Sequence, residues 1–224
     1  MFHTAFSKYW GWYCNVGGGS GQCDGHPHGM GCLLTGNLVL TARHVWTEIQ
    51  HRYKWPAVVK QDGLFRCEKV FESHEQDLLL LRCVDRVGDG SSPLPTEFPR
   101  ITDRMMLIGD AVGFISQLQL HHAPETQSLH TCFSQAYVSF MLDDEGSAVR
   151  YVLSSTVMQK GFSGSPVFYD DASLAGVLVR TVSFRADLEN PGAPIYVLPV
   201  AAPIFPVQNE LRKVIGFFPE PKDA

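Results

Sequence analysis

The chain contains 224 residues, of which 45% are apolar and 18% are charged, and its formal net charge is -5 at neutral pH. A chain of this length and composition can bury one sizeable core or two small ones. The 18 basic residues are outnumbered by 23 acidic ones and form no long run, so we expect no nucleic-acid partner.

Three features of the sequence indicate where in the cell the protein is expected. Uninterrupted apolar stretches such as residues 78–81 are far shorter than the roughly 20 residues of a transmembrane helix, so no membrane partner is expected. Residues 1–10 lack the basic segment followed by an apolar one that a secretory signal requires. We therefore expect a soluble cytoplasmic protein in which most of the six cysteines are buried thiols.

Short strand-forming segments dominate the chain and are separated by Gly, Pro, Asn and Asp. The predicted strands cover residues 32–34, 38–41, 57–59, 78–81, 151–153, 166–168, 176–179 and 196–198. The glycine cluster at 17–21 is typical of a flexible loop. One helix is predicted at 207–214, where apolar residues recur at helical spacing after Pro206. Many short strands with turn residues between them indicate an all-β sandwich or barrel.

A segment rich in Gly, Ser and Pro divides the chain. The break spans residues 85–100, and we place an inter-barrel linker at 91–100. Residues 1–90 and 101–205 would then form two small β-barrels that share a cleft. Residues 206–224 would form the closing helix and tail.

The most informative motif is Gly-Phe-Ser-Gly-Ser-Pro at residues 161–166. Glycines on both sides of a serine permit a tight turn whose backbone amides converge. The amides of Gly161 and Ser163 would form an oxyanion hole beside the serine hydroxyl. A free hydroxyl is a weak nucleophile near neutral pH, so Ser163 needs a base within hydrogen-bond reach.

His44 and Asp77 are the candidates for the base and the group that orients it. His44 follows the apolar run 38–41, where a predicted strand gives way to a loop, and an imidazole there can accept and return a proton. Asp77 directly precedes the apolar run 78–81 and can hold the imidazolium that forms. Taken singly, each is an ordinary turn or strand-end residue. Their occurrence with Ser163, in the order His, Asp, Ser, favours a nucleophilic site.

These segments resemble the trypsin/chymotrypsin superfamily of serine peptidases. The superfamily's three catalytic motifs are similar to Leu-Thr-Ala-Arg-His-Val at 40–45, Asp-Leu-Leu-Leu-Leu at 77–81 and the serine motif at 161–166. Looser similarity extends to residues 176–179 and 195–200, at the spacing of HtrA-type protease domains, here without a PDZ-like extension. The resemblance covers roughly residues 28–214.

The resemblance implies two six-stranded antiparallel β-barrels followed by a C-terminal helix, together forming one peptidase domain. It implies a serine endopeptidase that acts on polypeptides without metal or cofactor. His44 would act as base and then acid, Asp77 would orient it, and Ser163 would form an acyl-enzyme. The amides of Gly161 and Ser163 would hold the oxyanion.

Substrate preference also follows from the resemblance. It places Val157 at the floor of the pocket for the residue before the scissile bond, with Val179 and Thr181 on its wall. None of these is acidic, so we expect apolar or small side chains there rather than Lys or Arg. The substrate would add as an extended strand along residues 179–181, with Arg180 facing either solvent or an acidic substrate residue.

Phe162 departs from the secreted digestive branch, which has at this position an Asp that pairs with a newly cleaved amino terminus. An aromatic ring cannot make that ion pair, so activation by terminus insertion is not expected. Control would come from loop ordering, self-association or a regulatory partner. The same residue keeps a second function open, a catalytically silent protein-binding module on this fold.

A separate cluster of potential metal ligands lies near the amino terminus. Cys23, His26, His28 and Cys32 fall within ten residues and could form a tetrahedral zinc site. Cys32 falls on a predicted buried strand, and the spacing is not one we match to a structural site. We therefore expect loop and core residues here, with no metal.

Overall fold

The computed structural model describes residues 12–19, 28–89, 92–123, 126–143, 148–155 and 161–217. These residues form two closed six-stranded antiparallel β-barrels and a C-terminal helix, which confirms the predicted all-β class. The strands of the first barrel are β1 (Tyr13–Gly19), β2 (Gly29–Leu33), β3 (Leu38–Ala42), β4 (Trp55–Lys60), β5 (Gly63–Ser73) and β6 (Leu78–Asp89). Their hydrogen-bonded order is β1-β2-β3-β6-β5-β4, and pairing between β4 and β1 closes the barrel.

The second barrel lies entirely in the later half of the chain. Its strands are β7 (Ala111–Ala123), β8 (Thr126–Asp143), β9 (Val149–Leu153), β10 (Pro166–Tyr169), β11 (Leu174–Arg185) and β12 (Ile195–Pro203). They are ordered β10-β11-β12-β9-β8-β7 and close through β7 and β10. Helix α1 (Arg43–Arg52) follows β3, and a short 3-10 turn (Phe205–Val207) leads into helix α2 (Gln208–Phe217).

The apolar runs of the sequence become strands that are buried on both faces. All four leucines from 78 to 81 are fully buried, although successive side chains on a strand point to opposite faces. One face fills the first barrel, and the other meets the surrounding structure. The buried cluster of the first barrel continues without a break into Val152, Phe168 and Val177 of the second. The barrels therefore share apolar packing along the seam where the cleft opens.

The structure contains elements that the apolar runs did not predict. Strand β8 buries Ser134, Ala136 and Val138, and the residues between them are exposed. Buried and exposed side chains thus alternate along β8, which therefore contains no continuous apolar run from which a strand could be predicted. The predicted break at 85–100 begins too early, because β6 continues to Asp89 in register with Gly63 of β5. Residues 92–100 contain neither helix nor strand.

Two further expectations near the amino terminus were wrong. Residues 17–19 of the glycine cluster belong to β1 rather than to a flexible loop. Gly18 is needed there because a Cβ atom would lie 2.4 Å from the Tyr53 ring. His44 is not in a loop but in the first turn of α1, a helix held by one buried face of Val45, Trp46 and Ile49. Within the described residues, no helix is long and apolar enough to cross a lipid bilayer.

Candidate active site

Asp77 ends the tight turn between β5 and β6. Its backbone lies in the left-handed region, with φ of 53°. This conformation costs roughly 1–2 kcal/mol for a residue that carries a Cβ atom, although Asp tolerates it better than most. The Asp77 carbonyl accepts the amide of Arg43 at 2.8 Å. The turn is thus attached to the start of helix α1.

His44 is bound twice by the Asp77 carboxylate. Its backbone amide donates to Oδ1 at 3.0 Å, and its ring Nδ1 lies 2.7 Å from Oδ2. Carboxylate oxygens accept hydrogen bonds, so this contact fits the imidazole tautomer that has its proton on Nδ1 and offers Nε2 as an acceptor. Since β3 and β6 are paired neighbours, the barrel register brings the two residues together.

Arg43 is a cleft residue that the sequence analysis did not single out. Its Nε lies 3.7 Å from Asp77 Oδ1, and its Nη1 lies 3.9 Å from Glu72 Oε1. The guanidinium therefore adds positive charge behind the His44 and Asp77 pair. Its place directly before His44 was the signal available in the sequence.

Ser163 lies in the turn that leads into strand β10. Gly161 and Gly164 have φ of 97° and 90°, values that favour glycine. The Ser165 amide donates to the Phe162 carbonyl at 3.0 Å, which closes the turn. The Ser163 carbonyl accepts the amide of Met30 at 2.8 Å, a bond between the barrels that attaches the turn to β2. The Ser163 hydroxyl lies 3.4 Å from the carbonyl oxygen of Val179.

Gly161 and Ser163 both line one cleft. Within the part of the chain that the structure describes, neither the Gly161 amide nor the Ser163 amide donates to a backbone carbonyl. Amides in this state can stabilise negative charge that develops on a bound carbonyl oxygen. Phe162, between them, is 1% exposed and belongs to the buried cluster of the second barrel. The Phe162 ring packs against apolar side chains. An Asp at this position would instead need a cation beside it.

One cleft of about 810 Å³ connects the predicted site residues that the structure describes. Its lining residues are Arg43, His44, Asp77, Gly161, Phe162, Ser163, Leu178, Val179, Arg180, Thr181 and Val197. Val157, predicted as the pocket floor, lies outside the described residues. The cleft thus holds a hydroxyl, an imidazole oriented by a carboxylate, and the two backbone amides of the serine turn, which together suit acyl transfer.

The candidate zinc ligands are only partly described. Cys23 and His26 lie outside the described residues, whereas His28 Nε2 lies 2.6 Å from the Tyr53 hydroxyl. Cys32 is fully buried in β2, and burial raises the pKa of its thiol well above the ordinary value. In the described ranges, no group of three or more His, Cys, Asp or Glu side chains could hold a metal ion. The thiols of Cys14, Cys32, Cys67 and Cys83 are free.

Comparison with known proteins places these features in a wider group. The family model for a trypsin-like peptidase domain matches residues 29–177. The fold resembles the MamO protease domain of Magnetospirillum magneticum, with a TM-score of 0.61, 15% identity, and coverage of 94% of this chain and 98% of that one. It also resembles the serine endoprotease of Yersinia pestis, with a TM-score of 0.60, 17% identity, and coverage of 96% and 67%. No curated protein matches the chain in sequence.

Proposed function

The chain belongs to the trypsin-like peptidase family, and we propose that it is a serine endopeptidase that cleaves polypeptides through an acyl-enzyme. One observation carries the proposal: His44 Nδ1 lies 2.7 Å from Asp77 Oδ2 on the wall of the cleft that also holds Ser163. This leaves Nε2 of the ring as the acceptor that a serine nucleophile requires.

The proposed reaction begins with a change of partner for the Ser163 hydroxyl. In the structure this hydroxyl donates to the Val179 carbonyl oxygen, and the two oxygens lie 3.4 Å apart, which is a long hydrogen bond that is readily exchanged. When His44 Nε2 accepts this proton, the serine oxygen attacks the substrate carbonyl. Asp77 holds the resulting imidazolium, and the Gly161 and Ser163 amides donate to the oxyanion.

The second half of the reaction uses the same groups in reverse. His44 gives its proton to the leaving amine, which departs and leaves Ser163 acylated. A water molecule then transfers a proton to His44 and attacks the acyl carbonyl. The bond to Ser163 breaks, His44 returns the proton to the serine oxygen, and the second product leaves as a carboxylic acid. No cofactor takes part in the proposed reaction.

The cleft supports a proposal for the substrate. Val179 and Thr181 line it together with Val197, and its basic side chains are those of Arg43 and Arg180. We therefore expect small or apolar residues before the scissile bond, and a penalty for Lys or Arg because of charge repulsion. The free thiols of Cys14, Cys32, Cys67 and Cys83 fit a reducing compartment, which supports the proposed cytoplasmic location.

A catalytically silent protein-binding module is the second candidate. It is favoured by the Ser163 hydroxyl, which lies against the Val179 carbonyl in this state, and by Phe162, which excludes activation through an ion pair at that position. If such a chain needs a regulatory partner or self-association to rearrange the turn, activity would appear only in that assembly.

A fluorophosphonate probe separates the two functions. The wild-type protein should become labelled on the peptide that contains Ser163, and Ser163→Ala should not react. Ser183→Ala is the matched control, because Ser183 is exposed on β11 and lies outside the set of cleft residues. Turnover of casein should fall by several orders of magnitude in Ser163→Ala only. Labelling that persists in Ser163→Ala would remove Ser163 from the nucleophile's role.

A further inference from the structure

Arg150 is a buried arginine of the second barrel that reaches the turn carrying Asp77 in the first. It lies on β9 and is 5% exposed. Its Nη1 donates to Gln76 Oε1 at 3.1 Å, and its Nη2 donates to the Glu75 carbonyl oxygen at 2.5 Å. Gln76 is itself 6% exposed. The two residues directly before Asp77 are thus bound by a side chain more than seventy positions away in sequence.

Two hydrogen bonds within the turn are longer than the two that Arg150 donates to it. The Gln76 amide donates to Ser73 Oγ at 3.3 Å, and the Asp77 amide donates to the His74 carbonyl at 3.3 Å. Asp77 has φ of 53°, a conformation that costs free energy even for Asp and that the contacts around the turn must offset. A turn of this kind depends on contacts from outside.

We propose that Arg150 is a positioning residue for the reaction. Through Glu75 and Gln76 it fixes the turn so that the Asp77 carboxylate meets both the amide and the ring of His44. The planar guanidinium suits this role, because its rigid fork binds two acceptors in fixed directions. Buried bonds from a charged donor are also stronger than those between neutral groups. The inference rests on the proposed peptidase function.

The test compares Arg150→Gln, Arg150→Lys and wild type with two measurements. The first is the rate of fluorophosphonate labelling, and the second is the ¹H and ¹⁵N chemical shifts of the His44 Nδ1–H group in histidine-labelled protein. Arg150→Gln should label roughly 10- to 100-fold more slowly, the loss expected when a catalytic group is displaced by about 1 Å. Its Nδ1–H signal should move away from the wild-type position. Arg150→Lys should lie between the two, since an ammonium cannot reproduce the fork.

Arg212→Gln is the matched control. Arg212 lies on α2 and also donates to a backbone carbonyl and a carboxylate, those of Ile101 and Asp103, which lie outside the Asp77 turn. Its loss should leave both the labelling rate and the His44 signal at wild-type values. A change of equal size in this variant would mean that the effects come from general loss of stability, and would overturn the proposal.

Two further variants keep the outcome decisive. If Arg150→Gln does not fold, Gln76→Ala removes one acceptor and should change both measurements in the same direction by a smaller amount. Ser163→Ala should abolish labelling and keep the His44 signal. If wild type never labels, the proposed function fails, while the His44 signal still tests Arg150. A folded Arg150→Gln or Gln76→Ala protein with the wild-type His44 signal refutes the positioning role.

Discussion

Replacement of Gly164 by alanine tests how the serine turn is attached to the first barrel. A Cβ atom at this position would lie 1.8 Å from the Met30 carbonyl oxygen and 2.5 Å from Thr41 Oγ1. Its φ of 90° adds strain of roughly 1–2 kcal/mol for any residue with a Cβ atom. We expect Gly164→Ala to destabilise the fold strongly and to abolish probe labelling.

The magnitude follows from the hydrogen bonds that the displaced backbone makes. The Met30 amide donates to the Ser163 carbonyl at 2.8 Å, the Gly164 amide to the Leu178 carbonyl at 2.7 Å, and Thr41 Oγ1 to the Met30 carbonyl at 2.6 Å. Each bond contributes about 1 kcal/mol. If the clash breaks two or three of them, the total loss with the backbone strain is about 4 kcal/mol, a large part of a typical domain's stability.

Gly109→Ala is the control that separates strain from the clash. Gly109 has φ of 92°, but a Cβ atom there would have no neighbour within 4 Å. Gly109→Ala should therefore lower the free energy of unfolding by only about 1–2 kcal/mol and leave probe labelling unchanged. Urea unfolding followed by tryptophan fluorescence gives both free energies of unfolding. A difference between the two variants of less than about 1 kcal/mol would refute the reasoning, because the clash and the broken bonds would then have no measurable cost.

Three further predictions concern single side chains. Phe162→Asp should lower the free energy of unfolding by roughly 3–5 kcal/mol, because the ring is 1% exposed and the carboxylate would be buried without a partner. Phe162→Leu should lower it by under about 1.5 kcal/mol. Equal urea midpoints for the two variants would contradict this prediction and would indicate a cation beside the position. Burial raises the pKa of the Cys83 thiol from 9.0 to about 11. Between these values the unfolded chain loses the thiol proton before the folded protein does, so the free energy of unfolding falls as the pH rises from 9 to about 11. Cys83→Ser should flatten this part of the stability profile, and an unchanged slope would contradict the assignment. Arg180→Glu should increase cleavage of peptides with Lys or Arg relative to wild type, as read from a mixed peptide library; an identical product profile would exclude Arg180 from the substrate path.

The local part of the fold and of the site could be predicted from the sequence. Apolar runs such as residues 78–81 indicated buried strands because a run of this kind is stable only inside a core. The glycines around Ser163 indicated a tight turn because glycine, which has no Cβ atom, adopts positive φ without a steric penalty. The structure has φ of 97° at Gly161. Two small barrels were inferred from the strand pattern and the break near the middle of the chain, and the resemblance added the count of six strands in each. The strand order confirms both. The catalytic roles of His44, Asp77 and Ser163, and of Val157 in the pocket, stay predictions.

Only the tertiary structure decided what surrounds these motifs. Helix α1 was not predicted, because its apolar face is short and consists of Val45, Trp46 and Ile49. These three residues are stabilised in a helix by packing against the first barrel, which the sequence alone does not show. The contact of Arg150 with the Asp77 turn, and the bond from Met30 to Ser163, each join segments of different barrels. A sequence pattern records the preferences of neighbouring residues. Contacts between distant residues depend on how the barrels pack, so charge and position in the chain could not reveal them.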